Sequence, residues 1–220
     1  MYKFQVVALS FLTLALMGCG GTDIRDTITP PISKVTSRAA IKENDYIDWQ
    51  VVNLSTYDGE AITQFPTHGG DYVQFDGANL EDTSGYQGYQ IWTESTAESF
   101  NGGHCDFLPD DFIIRTYYGI NSQLRLIFDS PVSAVGSQFQ PRGGNHFSVV
   151  GMAYDSKGNL IGQASGSFSV KGLKDGSAPF FGIKSRTKNI ASVIFTINDD
   201  SDLPTDEKNE VWANRVSIHR

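Results

Sequence analysis

The chain has 220 residues, 40 % of them hydrophobic, and its 25 acidic residues outnumber 17 basic ones for a formal net charge of −8. That length supports one domain with a full hydrophobic core, burying roughly 70 % of the unfolded surface. The acidic balance argues against nucleic acid as a partner, because phosphates require a basic footprint, and against electrostatic docking on anionic lipid, while it suits divalent cations.

At the N-terminus, Lys3 precedes an apolar run over residues 6–17 that closes in Leu16-Met17-Gly18-Cys19. The run is shorter than the ~20 apolar residues that cross a bilayer, so it reads as a secretion signal. Its last four residues resemble the lipobox of bacterial lipoproteins, although Met17 stands where that family more often has a small or β-branched residue. The resemblance implies cleavage before Cys19, a fatty acid such as palmitate on its thiol, and membrane attachment through that N-terminal lipid. Gly20 in place of aspartate implies the outer membrane of the cell envelope. With Cys19 lipidated, Cys105 alone remains and no intrachain disulfide forms.

Residues 20–44 carry two adjacent prolines, many Thr and Ser and little apolar periodicity, which predicts a flexible tether reaching roughly 30 Å. From residue 45 to 220, short runs rich in Val, Ile, Phe, Tyr and Trp alternate with Gly, Asn, Asp and Pro, the signals of strands and turns. In QLRLIF, Leu124, Leu126 and Phe128 share one face, and in SVIFTI so do Val193, Phe195 and Ile197. Asp129-Ser130-Pro131 predicts a turn before the next strand, and Asp155 with Gly158-Asn159 predicts a hairpin. About eleven strands without crossover helices predict an all-β fold, a two-sheet antiparallel β-sandwich of jelly-roll type.

Four stretches in order, LRLIFDSPVSAVGSQF, FSVVGMAYDSKGNLIG, FFGIKSRTKNIASVIFTI and VWANRVSI, resemble the C-terminal half of secreted bacterial β-sandwich domains. Such domains often carry PEP-CTERM sorting tails and are similar to carbohydrate-binding jelly-roll modules. The resemblance covers residues 123–218 and implies the sandwich fold and cell-surface placement. Asn214-Arg215 stands where that family usually shows an acidic residue followed by Asn.

No nucleophile elbow, HExxH, phosphate-cradling loop or CxxC pair occurs. Three histidines adjoin glycine pairs, and if their loops met, His68, His104 and His146, with Cys105 or Asp71, would form a transition-metal site; the same glycines also serve as plain turn formers. Asp199, Asp200 and Asp202 offer carboxylates for Ca2+ but lack the spacing of an EF-hand loop, and Asp106, Asp110 and Asp111 form a second, weaker acidic cluster. Tyr86, Tyr89 and Trp92 lie in an aromatic and amide-rich stretch suited to a sugar, whose C–H faces stack on rings beside hydrogen-bonding amides. Trp49 and Trp212 are expected in the core.

These features predict a lipid-anchored envelope protein, non-catalytic, whose sandwich binds a glycan or another surface component, with structural calcium as the candidate cofactor. Two alternatives stand beside it: a metal-dependent or glycan-active hydrolase built on the His68, His104 and His146 loops, and a structural envelope protein.

Overall fold

The computed structural model describes residues 31–51, 64–75, 89–93, 106–109, 111–116, 123–142, 145–200 and 210–220. Along the chain run β1 (Ile32–Val35), α1 (Arg38–Ile41), β2 (Asp45–Ile47), a 3-10 turn (Trp49–Val51), β3 (Gln64–Pro66), β4 (Tyr72–Phe75), β5 (Tyr89–Thr93) and β6 (Phe112–Thr116). There follow β7 (Gln123–Val132), β8 (Ala134–Gln140), β9 (His146–Tyr154), β10 (Leu160–Ser169), β11 (Phe180–Ser185), β12 (Ile190–Asp199), β13 (Trp212–Ala213) and β14 (Val216–His219).

The strands form two sheets with antiparallel pairing throughout the described residues. One has the order β1-β11-β8-β13-β6-β5, with β14 pairing β8 and β2 pairing β14; the other has the order β10-β9-β12-β7-β4-β3. The fold is an antiparallel β-sandwich. Alternation dictates which face each strand buries: Leu124, Leu126 and Phe128 of β7, and Val193, Phe195 and Ile197 of β12, point into the core as the period-2 pattern requires. Phe195 from one sheet meets Phe139 and Phe181 from the other at ring-centroid distances of 5.0 and 6.2 Å, so the two layers lock through tilted and edge-to-face aromatic contacts. β8 and β11 approach closely where Gly136 faces Gly182, and a Cβ on Gly136 would lie 2.8 Å from the Gly182 Cα.

Three expectations are corrected. The sandwich begins well before residue 45, because β1 pairs with β11 and buries Ile32 and Val35, while α1 buries Ile41 against Val35, Ala134 and Phe180. Four strand residues with two apolar positions were too short a signal to stand out among Thr, Ser and Pro. The predicted turn at Pro131 lies instead at Ser133, where the chain passes from one sheet to the other. Residues 128–131 of β7 form an irregularity facing Ala191 of β12, since Ile127 pairs with Ser192 and Val132 with Ile190, and proline suits such a break in the ladder. The single last strand is broken at Asn214-Arg215 into β13 and β14. Cys19 and the rest of the predicted signal lie outside the described residues. Among the described residues no helix is long and apolar enough to cross a membrane.

Candidate functional site

Segments far apart in the chain converge on a polar cavity of about 260 Å³. The break between β13 and β14 builds its floor. Asn214 is buried there, and its amide donates to Gln138 Oε1 at 2.6 Å and to Asp111 Oδ2 at 3.3 Å, while its Oδ1 accepts from the Gln138 N–H and the Ser137 hydroxyl. Gln138 spends its own amide on the carbonyls of Gly176 and Ala178, at 2.6 and 2.8 Å. Floor and rim are thereby fixed by a satisfied buried network, which holds one geometry.

The groups around that floor are less committed. Asp111 closes a tight turn, accepting the Leu108 N–H on Oδ2, which also receives Asn214; Oδ1 has no partner among the described residues. Asp48 Oδ1 takes the Gln50 N–H at 3.0 Å, just after β2, and leaves Oδ2 equally uncommitted. Buried Trp49 packs edge-on against Phe65 at 5.3 Å and anchors this segment between them. Arg38 opens α1, whose N-terminus is capped by the Ser37 hydroxyl accepting from Ala40 N. The Arg38 guanidinium lines the cavity and makes no hydrogen bond or ion pair with another described residue. Exposed Leu108 and half-buried Phe112 add an apolar flank. Gly176, at φ +76°, sits so close to Leu108 that a Cβ would lie 3.0 Å from its Cγ.

Asp48 also lines a second cavity of about 170 Å³ with Tyr46, Pro66, Thr67 and His68. Here the first histidine–glycine turn is held from several sides. His68 N donates to Tyr46 O at 2.9 Å, Gly70 N to Thr67 O, and Gly69 N to the buried Asp45 carboxylate at 2.7 Å. The His68 ring stacks on Tyr46 at 4.5 Å, and the Arg215 guanidinium, ion-paired to Glu43, covers Tyr46 at 3.5 Å. The Thr67 hydroxyl is buried and approaches the Asp45 carboxylate without completing a hydrogen bond.

Burial pushes the Asp45 carboxyl up, but hydrogen bonds from Arg220 at 2.5 Å and from the Gly69 and Tyr46 amides outweigh it and hold the group below its ordinary value. A depressed folded-state value means that this carboxylate adds stability above the unfolded aspartate range near 3.9, and the contribution is lost as pH falls through that range toward the lower folded value. Urea titrations between pH 6 and 3 are expected to show the gap between wild type and Asp45→Asn narrowing below about pH 4.

The proposed histidine cluster does not assemble as drawn. His68 follows β3 at one edge of the six-stranded sheet, whereas His146 starts β9 near the other, with β12 and β7 between β9 and β4. Three strand spacings of about 4.8 Å separate those strands by roughly 14 Å. Asp71, the carboxylate considered with them, instead pairs with Arg220 at 3.0 Å. His104 and Cys105 lie outside the described residues. His146 Nδ1 meets Ser169 Oγ at 2.8 Å, and its backbone exchanges hydrogen bonds with Asp200, so Asp200 closes the end of the β9–β12 ladder. With Asp199 these residues border a shallow depression of about 460 Å³ at the shared end of β9, β10 and β12. Among the described residues no group of three His, Cys, Asp or Glu side chains is placed to hold a metal ion; Asp202 and Asp110 lie outside them. Asp106 is a buried structural anchor, accepting the Lys171 and Leu173 amides. Tyr89 and Trp92 belong to β5 and pair in register with Thr116 and Ile113 of β6; Tyr86 lies outside the described residues. Trp212 is buried, as expected.

No family model matches the chain, and no curated protein matches it. Among solved structures, a DUF4465 family protein from Bacteroides caccae ATCC 43185 aligns with 90 % of this chain and 97 % of its own, at 11 % identity and a TM-score of 0.42. The carbohydrate-binding module TmCBM61, solved with β-1,4-galactotriose, aligns with 76 % of this chain and 89 % of its own, at 10 % identity and a TM-score of 0.28. At those scores the site rests on its own geometry.

Proposed function

We propose that the protein is a non-catalytic, envelope-attached glycan-binding module whose site is the 260 Å³ cavity, anchored to the membrane by lipid on Cys19. The observation that carries the binding reading is the uncommitted set around a locked floor: Arg38 as donor, Gln50 as donor and acceptor, Asp48 and Asp111 as acceptors, beside the apolar surfaces of Leu108 and Phe112. Sugar hydroxyls donate and accept at once and come in neighbouring pairs, so mixed carboxylate, guanidinium and amide groups beside an apolar wall match them. Opposite charges within the cavity also favour a neutral ligand over a strongly ionic one.

The test is a glycan array followed by titration calorimetry on the full chain. Wild type is expected to bind at least one neutral glycan, and Asp48→Ala and Asp111→Ala to weaken it about tenfold or more each, as for a lost hydrogen bond to a charged group of roughly 1.5–3 kcal/mol. No glycan above background, or variants that bind like wild type, overturns the assignment.

A further inference from the structure

The Pro66–His68 turn adjoins the glycan cavity through Asp48, which lines both spaces. We propose that this 170 Å³ space is a second sugar subsite, so that the ligand is an oligosaccharide whose first ring fills the 260 Å³ cavity and whose next ring passes over Asp48 onto the turn. The inference rests on the proposed function and extends it.

Two observations carry it. The first cavity lies below the about 300–1,000 Å³ of sites for drug-sized ligands and holds little beyond one ring, so a longer glycan must leave it. The second is built for a ring: exposed Pro66 and the outward face of His68 present flat surface to C–H bonds, while Arg215 and His68 cover the two faces of Tyr46 and leave only its edge. Thr67 lines the same space but keeps its buried hydroxyl toward the Asp45 carboxylate, so it belongs to the frame of the turn. The turn is also preorganised by the Tyr46 carbonyl and the Asp45 carboxylate, so ordering adds little to the cost of binding.

The experiment compares glucose, galactose, mannose and N-acetylglucosamine with their 1,4-linked dimers to tetramers by calorimetry, on wild type, His68→Ala, His68→Phe and Pro66→Ala, with thermal melts to verify folding. In whichever series binds, the dimer is expected to bind wild type about tenfold more tightly than the monomer. His68→Ala and Pro66→Ala should cut that dimer advantage severalfold and leave monomer affinity unchanged, and His68→Phe should retain it by keeping a ring. Equal affinity for monomer and dimer in wild type, or a dimer advantage unaffected in both folded variants, overturns the second subsite while the first stands. Absence of binding in every series overturns both.

Discussion

Glu210→Ala is expected to destabilise the folded protein by about 3–5 kcal/mol, because it removes the carboxylate paired with a buried guanidinium. Arg115 donates to Glu210 through two parallel hydrogen bonds of 2.7 Å, and the two side chains are 3 % and 0 % exposed. The same carboxylate accepts the Trp212 indole N–H at 3.0 Å and lies 3.4 Å from Arg142, so one anion meets donors from three side chains where β13 meets β6. Its removal leaves the Arg115 charge in a dry interior that tolerates it poorly. Arg115→Met combined with Glu210→Leu is expected to recover part of the loss, since a well-packed apolar pair replaces both charges. Urea denaturation of the three chains decides it; a single variant within 1 kcal/mol of wild type, by the measure of typical surface changes of about 0.5 kcal/mol, refutes the account.

Asp106→Ala is expected to be nearly as severe, at roughly 3 kcal/mol, and to reach the 260 Å³ cavity as well. The Asp106 carboxylate takes the Lys171 and Leu173 amides at 2.6 and 2.7 Å, its N–H donates to Gln140, and its carbonyl accepts from Ala178. It thus pins the segment that presents the Gly176 and Ala178 carbonyls to Gln138. Loss of the carboxylate frees two amides and loosens the wall, so the melting temperature should fall and affinity for the proposed glycan ligand should weaken together. Calorimetric melts and titration of the same sample check both; a stability loss with unchanged affinity separates the segment from the site.

The sheets were legible in the sequence because their signals are local. Leu124-Arg125-Leu126 carries its own period, and the Asp155 hairpin carries its own chemistry: the side chain accepts the Lys157 and Asn159 amides while Gly158 takes φ +80°. The cavity was not legible, since Arg38, Asp48, Asp111 and Asn214 meet only after strands from across the chain have paired. Asp111 stands out for its charge, but Arg38 lies in the stretch that reads as a tether, and Asp48 carries no local signal of its own. His68 was noticed for its glycines and considered as a metal ligand; the structure places its ring on Tyr46. Asn214-Arg215 did stand out as a departure from the resembled pattern, and that pair breaks the last strand and sets the cavity floor.

β1 lies at the margin of its sheet, sharing a four-pair ladder with β11 and with Ile32 and Val35 seated in the interior. Under the proposed attachment at Cys19 and the proposed glycan site, drag between the two enters the domain as tension on those few pairings. They would act as a mechanical fuse, peeling before the central strands feel the load.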